Sequence, residues 1–452
     1  MAKKVHLTSG PMLPQMFSLC MPLLIGNILQ QLYNVINSLI VTRYIGSGAF
    51  AALGVAESIM NLFIYAISGT CIGASVLISR LYGEQNFDKL RQQVYVSAVF
   101  IGGCTAAAVA VGQICMPQIL KLTHTPDELS SDVSVYLRCI LFGMVFTFTY
   151  NILASMLRAV GNTRSALYFL LISLGYNIVA AWLLVAVMHM GILGTAIATC
   201  SAQMVSSLLC FIYIMKKQPF LMPRREDMKM DGTMFKQAFS FGVVAAMHQS
   251  SLYLGKLMVQ SAVNMLGTAA ISAFTAATRV ENIAQAFGSS GSETMSIFIA
   301  QNRGANKPKR ALKGFAVGIA ALTIVGGIFS VILSCFGGQM SVPFFGKNDP
   351  EAIALAASYL QIVGAGYFLT FWGHSFVGHF RGEGRMNIPF WATSTQLAIR
   401  VILTYLLVDR LGLDSVAWAT IIGWIVIVIF HGTTFILEKH DLKPIFEKEA
   451  DA

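Results

Sequence analysis

Three carboxylates stand inside long apolar runs of this chain: Glu57 between Leu53 and Gly83, and Glu281 and Glu293 between Phe274 and Gly304. One ammonium, Lys256, stands inside another run with no basic neighbour. A charge at the centre of a bilayer costs ~2.5–3.5 kcal/mol or more, so one retained there faces the protein interior and has a partner or a task. The chemistry such groups do well is reversible. Burial and a neighbouring ammonium pull a carboxyl's proton affinity in opposite directions, and a group poised between them can load and release a proton or small cation. Glu281, joined by Glu57 or Glu293, is expected to accept a coupling cation that competes with substrate. The plainer expectation is a static pair between Lys256 and a carboxylate, pinning two helices together. Asn37 and Asn177 offer neutral oxygens in the first half, for a cation or for hydrogen bonds between helices.

The elements that must hold these groups follow from composition. The 452 residues are 56% hydrophobic and 12% charged, with mean hydropathy +0.67, whereas soluble domains carry roughly a quarter charged residues. Such a chain cannot cover itself with a polar surface, so the bilayer is its solvent. Runs this continuous suit helices rather than barrel strands. At about 35–38 residues per span and loop, the length holds about twelve helices. The net charge of +10 reads as topology rather than as a nucleic-acid surface. With loops assigned alternately, 23 basic residues fall on the side of the N-terminus (Lys3 and Lys4 onward), 4 on the other (Arg43, Lys121, Lys347, Arg410) and 4 inside apolar runs (Arg138, Lys256, Arg279, Arg400). The positive-inside rule then places both termini in the cytoplasm of a cell-membrane protein.

The chain is duplicated. At an offset of 221, Gly46 falls on Gly267, Ala52 on Ala273, Asn61 on Asn282, Gly83 on Gly304 and Thr199 on Thr420, while Arg158 and Gly161 fall on Arg381 and Gly384 at 223. Glu57 falls on Thr278, one helical turn before Glu281. The expected organisation is an N-terminal six-helix lobe at 1–215, a basic cytoplasmic linker at 216–235, a C-terminal six-helix lobe at 236–437 and a cytoplasmic tail at 438–452. The fold class is an all-α polytopic membrane protein, two six-helix bundles in parallel repeat around a central cleft.

Several motifs carry a likeness beyond this pattern. Pro22-Leu23-Leu24, Asn27 and Gln31-Leu32-Tyr33-Asn34 in the first span, Tyr44-Ile45-Gly46 with Ala51-Ala52-Leu53-Gly54, and Ser79-Arg80-Leu81-Tyr82-Gly83 with its counterpart Ala300-Gln301-Asn302-Arg303-Gly304 resemble the multidrug and toxic compound extrusion family. The resemblance implies efflux of organic cations or other amphipathic compounds by antiport against protons or sodium ions, with alternating access. The sequence departs from the family at its usual cation-binding acids. Asn37 stands where the first span often has aspartate, and Asn177-Ile178-Val179-Ala180-Ala181 replaces an Asn-x-x-x-Asp pattern.

The remaining groups point to plainer roles. The eight cysteines sit singly in apolar runs, as small buried residues do. His374 and His379 are five apart, which does not bring two rings to one helix face, so no metal site and no cofactor beyond the coupling ion is expected. Tyr367, Phe368, Phe371, Trp372 and Phe376, with Met247 and Met258, could surface a pocket for flat lipophilic compounds or simply pack. Arg138, Arg279 and Arg400 read as snorkelling or structural pairs. The expected partners are a small-molecule substrate and the lipid bilayer, with no nucleic acid, and the chain is expected to act as a monomer. No catalytic motif or sizeable extramembrane domain suggests an enzyme. The alternative is a flippase for lipid-linked oligosaccharides, which would need a cationic cavity.

Overall fold

Long apolar runs in a lipid solvent must pair every backbone group internally, and the helix does this within one segment. The computed structural model describes residues 7–123, 125–345 and 350–448. Lys3, Lys4 and the loop residues Lys347, Asn348 and Asp349 lie outside the described residues. Fourteen α-helices account for nearly all the described residues. They are α1 (Met12–Tyr44), α2 (Ser47–Gly83), α3 (Phe87–Ile114), the short α4 (Met116–Leu122), α5 (Asp127–Ala159), α6 (Thr163–Trp182), α7 (Gly191–Lys217), α8 (Gly232–Asn264), α9 (Thr268–Gly304), α10 (Pro308–Ser341), α11 (Pro350–Ala365), α12 (Tyr367–Gly382), α13 (Asn387–Leu411) and α14 (Asp414–Lys448).

Among the described residues nine helices are long and apolar enough to cross a membrane, ten if α11 and α12 form one bent span. The two long helices that miss this test, α8 and α9, carry Lys256 and Glu281 with Glu293. Adding them gives the twelve expected from length. The duplication shows in helix lengths: 33 residues in both α1 and α8, and 37 in both α2 and α9. It shows again in 25 residues for both Thr163–Val187 and Asn387–Leu411.

Several helix boundaries have identifiable local causes. Helix α5 starts directly after Pro126, whose fixed φ suits a helix entry. Helix α3 starts at Phe87, where the Asn86 side chain accepts from the Lys89 amide and caps it. Helix α6 runs into a π-turn, Leu183–Val187. Helices α11 and α12 meet at Gly366 with a 54° bend. The bend breaks the ladder, and the Ser330 hydroxyl of α10 accepts the Phe368 amide at 2.9 Å. Gly364 makes the approach to α10 possible, since a Cβ there would lie 2.6 Å from the Ser334 nitrogen.

The chain divides into two compact units, one holding residues up to Ser250 with Ala300–Ala311, the other Ser251–Ile299 with the chain from Leu312 on. In the first, α5 packs on α2, α3 and α7, and α1 lies along α6. Leu53, Ile78, Leu90, Ile101, Leu137 and Leu157 are among its fully buried apolar side chains. In the second, α14 packs on α11, α12 and α13. Its core is aromatic, with Phe274, Tyr359, Tyr367, Phe371 and Phe380 all fully buried.

Within the first unit the ends of α2 and α9 cross reciprocally. A Cβ on Gly83 would lie 2.0 Å from the Gln301 carbonyl oxygen, and one on Gly304 1.9 Å from that of Arg80. Gly83 and Gly304 are partners under the 221 offset, as are Arg80 and Gln301, so the contact repeats itself with the strands of the repeat exchanged. Gln301 Nε2 also donates to the Ala159 carbonyl at 2.6 Å, tying the crossing to α5.

The segment after α7 is anchored by Asp227, which accepts from Arg91 Nε at 2.6 Å and from the Arg224 amide at 2.9 Å. Burial alone would push the Asp227 carboxyl up; the Arg91 bond and the Arg224 amide outweigh it and hold the group below the usual aspartate range. A lowered folded value contributes stability that is present above the unfolded value of about 3.9 and is lost as pH falls through the folded one.

Three outcomes follow for purified protein in detergent. Gly304→Ala lowers the melting temperature or abolishes the monodisperse peak, because overpacking against backbone costs about 1–3 kcal/mol or more. Gly54→Ala, where a Cβ meets nothing within 4 Å, leaves both readouts unchanged. Asp227→Asn lowers the melting temperature at pH 7, and the gap to wild type closes as pH drops below about 4.

Candidate functional site

In the first unit four polar side chains from three helices meet. Asn37 Nδ2 donates to Tyr33 Oη at 3.4 Å, both on α1, and Asn177 Nδ2 of α6 donates to Thr199 Oγ1 of α7 at 3.5 Å. The two hydroxyls are themselves 3.4 Å apart, which closes the set. Asn37 and Asn177 are both buried, and among the described residues the Oδ1 of each has no hydrogen-bond partner. Two neutral carbonyl oxygens with unused lone pairs, beside two hydroxyls, are the hard-oxygen donors that a small cation prefers. Glu57 on α2 is half-buried and interacts electrostatically with Tyr33 and with buried Tyr136 of α5, so a carboxylate overlooks the neutral set.

In the second unit Glu281 of α9 is met by two cations, Lys256 of α8 and Arg400 of α13, both interacting electrostatically with its carboxylate. Tyr359 of α11 faces the same carboxylate, and the Tyr367 hydroxyl donates to the Glu281 carbonyl at 3.2 Å. One turn along α9, Gln285 Oε1 lies 2.8 Å from His374 Nε2. The charges face one another without closing a direct ion pair. Glu281 Oε1 and Arg400 Nε are buried without a hydrogen-bond partner among the described residues. Glu281 lies 13 residues from Thr268, where α9 starts, ~20 Å along the axis.

Glu293 lies apart from this group. It is half-buried on α9 and interacts with the buried guanidinium of Arg381 on α12. Helices α9 and α12 touch there, since a Cβ on Gly378 would be 2.6 Å from the Ser292 carbonyl. Arg279 leans over the Phe344 ring at 5.7 Å, and Arg138 donates to Gln113 Oε1 at 3.2 Å. The α12 aromatics are spent on packing: Tyr367 stands edge-on to Trp424 at 5.4 Å, and Trp372 Nε1 donates to Thr323 Oγ1 at 2.9 Å. Among the described residues no group of three or more His, Cys, Asp or Glu is arranged to hold a metal, and all eight cysteines are free.

Thus Asn37 and Asn177 are brought into one set with Glu57 near it, Glu281 and Lys256 into another, and Glu293 into neither. Reading the sequence passed over Tyr33, Thr199, Tyr359 and the role of Arg400. The duplication carried the signal for most of them. Tyr136 falls on Tyr359 and Asn177 on Arg400 at 223, Thr199 falls on Thr420 at 221, and Tyr33 falls on Tyr253 at 220.

Two related polar sets held within long apolar helices fit a polytopic membrane protein. The MatE family model matches residues 22–183 and again 245–406; both ends of the second segment lie 223 beyond those of the first. The chain belongs to this family, the multidrug and toxic compound extrusion transporters. It is 26% identical over 400 residues to the probable multidrug resistance protein YpnP of Bacillus subtilis, covering 86% of this chain and 88% of that one. It is 22% identical over 425 residues, 92% of each chain, to the multidrug export protein MepA of Staphylococcus aureus. Among solved structures, an outward-facing multidrug resistance MATE transporter of the MOP superfamily superposes with a TM-score of 0.89 at 20% identity, covering 98% of this chain and 99% of that one. A MOP superfamily transporter from Pyrococcus furiosus gives 0.90, also at 20% identity, with 98% and 99% covered.

A double-mutant cycle on thermal stability tests the second set. Arg400→Met leaves Glu281 short of a counter-charge and lowers the melting temperature. Adding Glu281→Gln recovers part of the loss, for a coupling of about 0.5–3 kcal/mol. Strictly additive effects would separate the two groups.

Proposed function

We propose that the chain exports amphipathic compounds across the cell membrane by antiport against sodium ions, with the coupling ion held by Tyr33, Asn37, Asn177 and Thr199 under the field of Glu57. The observation that carries this reading is the pair of buried, unpartnered Asn37 and Asn177 carbonyl oxygens in one polar set. Asparagine has no proton to exchange near neutral pH, so a set in which two asparagines supply the free acceptors suits a metal cation better than a proton. Relatives described as multidrug resistance and multidrug export proteins support efflux of more than one compound.

Substrate binding belongs to the second set, around Glu281 and Lys256. Sodium bound in one unit and substrate in the other need not touch. They are coupled if each binds one of two access states better than the other, and the coupling is then reciprocal. One chain carries both sets, so a monomer suffices. The 23-to-4 split of basic residues supports cytoplasmic termini. Glu293 serves the fold through Arg381 in this reading.

Purified protein in vesicles loaded with a fluorescent amphipathic dye tests the proposal. An imposed sodium gradient drives dye movement, and a pH gradient alone does not. Asn37→Ala and Asn177→Ala each raise the sodium concentration for half-maximal transport about tenfold, the loss of one ion–dipole contact worth about 1.4 kcal/mol. Transport that follows the pH gradient and ignores sodium would move the coupling role to a carboxylate.

A further inference from the structure

The two sets descend from one duplicated pattern, yet they differ in charge. Tyr136 and Tyr359 correspond, as do Thr199 and Thr420, but the position of neutral Asn177 is taken by Arg400 in the second half. Lys256 adds a second cation. Where the first set offers free acceptor oxygens, the second offers donors. The buried Arg400 Nε has no hydrogen-bond partner among the described residues, the Tyr359 hydroxyl faces the Glu281 carboxylate, and the Lys256 ammonium belongs to an exposed residue. Against these stands one carboxylate, Glu281, itself with an unused oxygen and no direct ion pair. Gln285 and His374 engage each other, Thr420 faces Tyr359, and Arg279 is turned to Phe344, so none of them balances the charge. With Glu281 ionised the group carries one net positive charge. A cationic ligand would meet repulsion there. An anionic one would find two cations and a hydroxyl donor, and buried polar groups without partners are uncommon enough to call for a ligand or other function.

We propose that Lys256, Arg400 and Tyr359 hold the anionic group of an amphipathic substrate, a carboxylate, sulfonate or phosphate monoester, with Glu281 as the internal counter-ion that this group displaces. The proposal rests on the efflux reading and names its substrate class. It assigns Glu281 a selectivity role: the carboxylate keeps the two cations tolerable in the substrate-free state and sets the threshold an anion must exceed. The guanidinium and the planar carboxylate are matched in shape, which favours carboxylate-bearing compounds over spherical anions.

The test uses two dyes that share one ring system, rhodamine 110, which has a free carboxylate, and rhodamine 123, its methyl ester. Transport of each is measured in proteoliposomes carrying the full-length protein under a sodium gradient. Wild type shows the lower KM for the acid. Arg400→Gln raises the acid-to-ester KM ratio about tenfold or more. Glu281→Gln lowers that ratio, because it removes the competing carboxylate, and a gain of this kind cannot come from misfolding. Arg400→Lys, which retains charge, restores part of the preference. A wild type that prefers the ester, or a Glu281→Gln variant that loses acid transport, overturns the proposal while leaving sodium-driven efflux intact. Movement of neither dye overturns the efflux reading, and the anion proposal for soluble substrates with it. If fluorescently labelled phosphatidic acid is then translocated and Arg400→Gln abolishes this, the anion site stands with a lipid phosphate as its occupant.

Discussion

Everything in this chain answers to the penalty for holding charge away from water. An isolated charge in hydrocarbon is costly, so a charged group held away from water gains from an opposite charge nearby. The second unit meets that demand with Glu281 between Lys256 and Arg400. The demand also explains why α8 and α9 are the long helices too polar to pass as simple spans. They carry groups that make sense only when packed against α11 and α13. The same rule gives Glu293 its Arg381 and anchors Asp227 to Arg91 at the polar end of α3.

Duplication gave the chain two copies of one polar arrangement, and the copies have diverged. In the first, the groups are neutral and their unpartnered atoms are acceptors. In the second, a guanidinium stands at the matching position and its buried Nε is an unpartnered donor among the described residues. In the proposed function, a fixed cation in one half stands in for the mobile one that the other half would bind, which separates ion binding from substrate binding. It leaves the backbone scaffold unaltered, as the equal helix lengths in the two halves attest.

Much of the fold was legible in the sequence because lipid leaves so few choices. Composition, run length and the 221–223 offset were enough for an all-helical, duplicated, polytopic architecture. The bend at Gly366 was not legible, since it depends on Ser330 of α10 accepting the freed Phe368 amide, a contact between residues 38 apart. The site was half legible. Charges buried in apolar runs announce themselves, so Glu281, Glu57 and Lys256 stood out. Arg400 reads in sequence like any snorkelling arginine, and only its electrostatic interaction with Glu281 gives it meaning. Tyr33 and Thr199 are ordinary residues whose role comes from meeting across α1 and α7 at 3.4 Å.

The divergence of the two sets is the central claim, and equilibrium binding of radioactive sodium to purified protein tests it most directly. Wild type and an Asn177→Arg variant, which gives the first set the guanidinium found at the matching position of the second, are compared at the same protein concentration. The expected result is saturable sodium binding at one ion per chain in wild type and none in the folded variant. Undiminished binding in the Asn177→Arg protein would contradict it.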